Sequence, residues 1–181
     1  MKIDKEIDPK IIKELLDHPY GDGRLFWRFR ERKWFANDKA FATWNGKWAG
    51  KQGFTSTTLN GYRQGRIFSR QYYAHRVIWC IYYGEWPPNQ IDHINGARTD
   101  NSIGNLRLAV NSQNGRNRGK QSNNTSGYKG VSYYKSRGVW EANIQADGVK
   151  RRIGYFKTAE DAHQAYCERS KIIHGQFSRT E

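Results

Sequence analysis

Trp140 to Ala146 alternates without a break, with Trp140, Ala142 and Ile144 on one side and Glu141, Asn143 and Gln145 on the other. Successive side chains of a strand point to opposite faces, so this segment is a strand with one face to bury and one to leave wet. Asp147-Gly148 follows as a two-residue hairpin turn, and Val149 to Phe156 returns as a second strand. Gly130 to Tyr134 supplies a third. Thr158 then caps a helix, with Asp161 at the capping-box position. Ala162, Ala165 and Tyr166 lie on one side of that helix, and Gly175 ends it. Small alanines let a helix approach a sheet closely. Residues 127–177 therefore read as a three-stranded antiparallel sheet packed on one helix, its other face polar and basic.

Upstream the pattern is less regular. Asp8 and Pro9 open a short helix whose apolar side carries Ile11, Ile12, Leu15 and Leu16. Leu25 to Arg30 alternates like a strand, with Leu25, Trp27 and Phe29 on one face. Asn60-Gly61 is a turn ahead of a strand-like run from Tyr62 to Phe68. Residues 1–70 read as a strand-rich segment whose chemistry is not legible. His75 to Tyr83 is apolar nearly all round, a short buried helix stopped by Gly84 and Pro87-Pro88. Gly115, Gly119 and the polar run Gln121 to Gly127 mark a linker at 119–126 and a domain boundary near residue 120. The fold class is α+β.

The chain of 181 residues carries 31 Lys+Arg against 17 Asp+Glu, a formal net charge of +14. Such an excess points to a polyanionic partner, duplex DNA above all. No acidic residue stands between Asp100 and Glu141, whereas Arg107, Arg116, Arg118, Lys120, Lys129, Lys135 and Arg137 do, as backbone neutralisation of DNA requires. The basic residues are not gathered on one amphipathic helix, which argues against a membrane surface. No apolar run is long enough to span a bilayer, and the charged N-terminus does not read as a signal peptide. A soluble, cytoplasmic protein is expected. Cys80 and Cys167 are far apart with no CxxC pair, so they are expected to be reduced, packed thiols and not a structural zinc site. His18, His163 and His174 carry no site signal.

The chemistry concentrates in Gln90-Ile91-Asp92-His93-Ile94-Asn95-Gly96, then Asn105-Leu106-Arg107-Leu108 and Gln113-Asn114. Hydrolysing a phosphodiester needs a deprotonated water and positive charge on the phosphoryl and leaving oxygens. Imidazole titrates near the working pH, which makes His93 the candidate base. Asp92, next to it in a strand, points to the opposite face, so one residue can approach the water and the other a metal. Asn114 offers an amide oxygen, a hard ligand suited to Mg²⁺ or Mn²⁺. With two protein ligands, such an ion keeps positions open for phosphate and water.

These residues, with Ala74-His75-Arg76, Gly84-Glu85-Trp86-Pro87-Pro88 and Asp100-Asn101, resemble the HNH motif of the His-Me finger endonucleases. The likeness to that ββα-metal fold is strongest for phage-type homing and free-standing enzymes. It covers roughly residues 72–118, so a module is assigned to 71–118. The resemblance implies that His93 is the general base and that Asp92 and Asn114 ligate one divalent ion per active site. It implies that Asn105 braces the loop between the strands. It implies a DNA endonuclease with no small-molecule cofactor, and it fits a phage or prophage origin. One active site per chain suggests nicking, unless two chains meet on one site to cut both strands; a monomer is favoured. His75 and Arg76 recur in the resemblance, where packing or a phosphate contact suits them as well as chemistry does.

Residues 127–177 resemble the plant ethylene-response-factor (Apetala-type) DNA-binding domain. The matching residues are Tyr128-Lys129-Gly130-Val131, Trp140 to Ile144, Ile153-Gly154-Tyr155-Phe156, and Thr158 to Ala162 with Ala165-Tyr166. That family lays its sheet in the major groove, which makes Lys129, Ser132, Tyr134, Arg137, Asn143, Gln145, Lys150 and Arg152 candidate contacts. His75, Arg76, Arg107, Arg116 and Arg118 join them upstream. The plant domain has Arg or Trp at several positions where this chain has Ser132, Gln145 and Arg152, and Glu in place of Asn143, so the plant target site is not carried over. The alternative to a nuclease is a catalytically silent, sequence-specific DNA-binding regulator.

Overall fold

The computed structural model describes residues 6–117, 119–121, 123–146 and 148–180, and leaves the side chains of 111, 112 and 116 undescribed. Arg118 and the turn residue Asp147 lie outside the described residues. The chain is α+β and divides into two compact units, Met1–Leu108 and Ala109–Glu181. The division falls within the segment 71–118 that the sequence groups as one module.

In the first unit, α1 (Pro9–Leu15) is capped by the Asp8 carboxylate, which accepts from the Lys10 backbone N–H at 2.8 Å. The helix stops one residue earlier than its apolar pattern suggests. Leu16 is extended (φ −135°, ψ 148°) and starts β1 (Leu16–Asp17), while remaining buried. β1 joins β2 (Leu25–Trp27) and β3 (Gln52–Gly53) in an antiparallel sheet. β2 is shorter than the expected 25–30, and Phe29 is 64% exposed instead of sharing the buried face. Arg30 takes its backbone partners from a side chain: its N–H donates to Asn45 Oδ1 (2.9 Å) and its carbonyl accepts from Asn45 Nδ2 (3.0 Å). The buried amide replaces a neighbouring strand, so the ladder ends there.

Asn45 belongs to α2 (Asp38–Trp48), an eleven-residue helix that the strand-rich reading of 1–70 does not contain. Thr43, Asn45 and Gly46 interrupt its helical periodicity. The Asn37 cap and edge-on contacts of Phe41 with Phe29 (5.5 Å) and Trp44 with Trp27 (5.8 Å) hold it instead.

A second antiparallel sheet is built from β4 (Ser56–Thr57), β5 (Arg63–Ile67) and β6 (Arg70–Tyr73). It feeds directly into α3 (Ala74–Tyr83), which Gly84 ends at φ 78°. α3 buries Val77, Ile78, Trp79 and Cys80 against Ile12, Leu15, Leu25 and Ile67, but Tyr82 and Tyr83 stand exposed at its end. Burial, the largest influence, pushes the Cys80 thiol up to about 12, as suits an inert packed cysteine. β7 (Gln90–His93) and β8 (Leu106–Ala109) form a two-stranded sheet joined through the 3₁₀ turn Ile103–Asn105.

The second unit holds α4 (Asn111–Arg116), β9 (Val131–Tyr134), β10 (Val139–Ala146), β11 (Val149–Phe156) and α5 (Ala159–His174). The sheet is antiparallel in the order β11-β10-β9, and Val131 and Ala142 pack on Ala159 and Ala162 of the helix. Thr158 Oγ1 accepts from the Asp161 N–H at 3.1 Å. The register slips between Ala142 and Asn143, so that Asn143 faces Arg152 and Ile153 bulges. Gly130 turns into the sheet at φ 76°, where a Cβ would lie 2.2 Å from the Tyr166 ring. The close helix approach requires glycine there.

Candidate active site

The β7–β8 hairpin sets the centre. Asn105 sits where β8 begins and ties the loop to both strands. Its Oδ1 accepts from the Asn95 N–H (2.9 Å), and its Nδ2 donates to Asn95 Oδ1 (3.0 Å) and to the Asp100 carbonyl (2.8 Å). The Ile94 N–H donates to the Asn105 carbonyl at 2.9 Å. Asn105 thus lies in the loop-bracing position.

Asp92 and His93 diverge from adjacent positions, and both are buried, each with 4% exposure. Asp92 Oδ2 accepts from Arg107 Nη2 at 2.6 Å and from Nε at 2.9 Å. A buried carboxylate needs such a cation. Arg107, expected on DNA, is therefore turned onto Asp92, with its side chain only 12% exposed.

On the other side, His93 Nε2 lies 3.0 Å from Asn101 Oδ1. Asn101 is itself buried, and its Nδ2 donates to the Thr99 carbonyl at 3.3 Å, which leaves Oδ1 as the atom facing the ring. An amide oxygen only accepts, so the imidazole carries its proton on Nε2 and its lone pair on Nδ1. Burial, the largest influence, pushes the His93 pKa below its ordinary value, against the Asn101 hydrogen bond and nearby Asp92 and Asp100. The ring is neutral and able to accept a proton.

Two rings stand against that imidazole, and a third backs one of them. Tyr62 approaches it at 5.8 Å and His75 edge-on at 5.2 Å, while Tyr73 stacks on His75 at 5.4 Å. His75 is buried, with Nδ1 unpartnered among the described residues. Burial, then His93 and Arg76, push its pKa down to about 3, so it is a neutral wall of the site. Arg76 clamps the chain locally, donating to Glu6 (3.0 Å) and to the carbonyls of Pro87 and Asn89 (both 3.3 Å).

Asn114 lies on α4 of the second unit, half-buried, its N–H on the Val110 carbonyl at 3.0 Å. Taken each within its own unit, Asp92 offers a buried carboxylate oxygen that already draws a cation, and Asn114 an amide oxygen; both are hard donors of the kind a divalent ion takes. Among the described residues no three His, Cys, Asp or Glu side chains converge, so an ion at Asp92 would complete its shell from amide, phosphate and water oxygens.

The wet face of the β9–β11 sheet carries most of the other candidates. Register puts Ser132 across from Glu141, Asn143 across from Arg152, and Gln145 across from Lys150. Tyr134 and Tyr155 stack at 5.6 Å, with the Arg137 guanidinium 5.3 Å from Tyr155 and that of Arg152 4.8 Å from it. Arg152 also bonds Glu141. Lys129, just ahead of β9, donates from Nζ to the Arg179 carbonyl at 2.7 Å, and burial pushes its pKa down to about 8.

Sequence reasoning missed Asn101, Tyr62 and Tyr73. Only Asn101 left a signal, as part of the Asp100-Asn101 pair.

The hairpin thus presents a buried Asp-His pair, with Asn105 bracing its loop and Asn101 set against the imidazole. The family profile described as HNH endonuclease matches residues 72–116. The chain is 34% identical to Protein 3.8 of Escherichia phage T7 over 106 residues, 58% of this chain and 87% of the phage protein. It is 32% identical to an uncharacterized HNH endonuclease of Acanthamoeba polyphaga mimivirus over 106 residues, 58% of this chain and 54% of the viral protein. No solved structure matches the chain. The chain belongs to the HNH endonuclease family. The HNH domain implies a nuclease acting on DNA. Among the described residues no helix is long and apolar enough to cross a membrane.

Proposed function

We propose that the protein is a divalent-metal-dependent DNA endonuclease with a tethered recognition sheet, similar in use to phage homing enzymes. The observation that carries this reading is the neutral, buried His93, whose Nε2 is fixed by Asn101 beside the Asp92 carboxylate. His93 Nδ1 takes a proton from water, the water oxygen bonds to phosphorus, and the P–O3′ bond breaks with its electron pair leaving on O3′, which takes a proton from solvent. The products are a 5′-phosphate and a 3′-hydroxyl. Mg²⁺ or Mn²⁺ held by Asp92 and Asn114 would supply positive charge to the phosphoryl and leaving oxygens. Asn105 keeps the loop from moving the base out of line.

The second unit adds affinity and sequence preference through Ser132, Tyr134, Arg137, Asn143, Gln145, Lys150 and Arg152. Asn and Gln can pair with adenine, and Arg or Lys with guanine. A short connection makes this second contact effectively intramolecular.

The test is a supercoiled-plasmid assay with Mg²⁺ or Mn²⁺. The wild type is expected to nick or linearise, and His93→Ala to bind DNA at near wild-type affinity without cutting. Binding without cleavage by the wild type under every divalent metal would leave the regulator reading in place. Cleavage by His93→Ala would remove the base assignment.

A further inference from the structure

Residues 39–84 contain no carboxylate but seven lysines and arginines. The β4–β6 sheet lies wholly inside this acid-free stretch. Strand alternation divides its residues between two faces: Gly65 and Ile67 turn inward with Tyr72, and Gln64 and Arg66 turn outward with Gln71 and Tyr73. Arg66 is exposed, and among the described residues its side chain makes no hydrogen bond or ion pair.

The turn that joins β4 to β5 holds Leu59 fully in solvent, at 108% exposure. A lone exposed leucine is ordinarily unremarked surface. This one is held rigidly. The Gly61 N–H donates to the Thr58 carbonyl (2.9 Å), the Thr58 N–H to the Tyr62 carbonyl (2.9 Å), and the Tyr62 N–H to Thr58 Oγ1 (3.1 Å). Arg98 Nη1 donates to the Asn60 carbonyl at 2.7 Å, and its guanidinium stands 5.1 Å from the Tyr62 ring. Tyr62 is the same ring that packs on His93 and His75. The leucine tip, a cation and the base are thus tied into one rigid group.

The base itself is recessed, with His93 4% exposed. A phosphate on a straight duplex stands off such a surface, so the backbone must bend into the site before Nδ1 can serve the attacking water. An apolar side chain entering between base pairs produces such a bend, at a cost of about a few kcal/mol of stacking.

Resting on the nuclease reading, we infer that the β4–β5 turn is a wedge for the substrate duplex. Leu59 enters the groove at the step beside the scissile phosphate and unstacks it. Arg66 and Arg98 receive the flanking backbone phosphates. The occupant is duplex DNA, because the surface is cationic, lacks acidic residues in its segment and is continuous with the catalytic group.

The test uses the full chain. On an intact duplex, Leu59→Ser is expected to cleave roughly 10–100-fold more slowly in single turnover. It should recover to near wild type on a duplex with a mismatch at the adjacent step, where unstacking has already been supplied. Arg66→Gln is expected to lower the slope of log K against log salt by about one contact. Permanganate footprinting of the His93→Ala protein reports unstacked thymines whether or not cleavage occurs. A protected but unreactive duplex, or equal cleavage of both substrates by Leu59→Ser, overturns the wedge. If the wild type fails to cut either substrate but the footprint shows Leu59-dependent unstacking, the nuclease reading fails and the wedge stands.

Discussion

Arg107→Leu tests whether that guanidinium serves the protein's own Asp92 or a DNA phosphate. Both contacting nitrogens, Nη2 and Nε, fall on one carboxylate oxygen at 2.6 and 2.9 Å. The side chains are 12% and 5% exposed, so solvent does little to replace the lost partner. Removing one half of a buried ion pair costs about 3–5 kcal/mol, because the remaining charge stays desolvated. For a chain of this size each kcal/mol moves the melting temperature by roughly 2–4 °C, so the expected loss is on the order of 6–20 °C. Asp92→Asn in the Arg107→Leu background removes the stranded charge and should recover a large part of that loss. The four proteins make a double-mutant cycle whose coupling reports the pair.

The assay is thermal unfolding of the wild type, both single variants and the double variant. It should be run with and without millimolar Mg²⁺, since an ion at Asp92 would partly replace the guanidinium and shrink the penalty. If Arg107→Leu melts within about 1 kcal/mol of wild type while DNA affinity falls, the arginine serves phosphate and the reasoning is wrong.

Asn101→Ala should slow single-turnover cleavage by roughly 10–100-fold while leaving DNA affinity intact, because only the orientation of His93 is lost; parallel rate and binding measurements separate the two. His75, neutral in the fold with a pKa near 3, takes up a proton on unfolding below its ordinary 6.5. Its contribution is present above 6.5 and is lost as pH falls toward 3, about 2 kcal/mol of it by pH 5; urea titrations at both pH values should show the difference shrinking in His75→Phe. Gly130→Ala places a methyl 2.2 Å from the Tyr166 ring at φ 76° and should cost about 2 kcal/mol or more, seen as earlier melting of the second unit.

The β9–β11 sheet was legible because one face alone is buried: a strict period of two leaves no second register that keeps Ala142 and Ile144 inside. The order Asp92-His93, Asn105, Asn114 was legible for a different reason, since spacing survives in sequence even when geometry does not. What could not be read was pairing across the chain. Asn101 looks like any asparagine of a polar loop until the fold brings it to residue 93. Helix α2 stayed hidden because aromatic contacts with Phe29 and Trp27 hold it, not a regular apolar stripe. Charge is the subtlest case. A cation in an acid-free stretch seeks an anion, but composition does not say which one. The hairpin decides for Arg107: with Ile94 bonded to Asn105, stepping two residues away along each strand sets Asp92 across from Arg107, so the internal carboxylate captures it. No internal carboxylate meets Arg66 among the described residues, and its own segment contains none. Arg107 is thus held by an anion that the fold supplies, whereas Arg66 is left exposed to solvent, and the salt-dependence measurement on Arg66→Gln tells whether a phosphate takes that place.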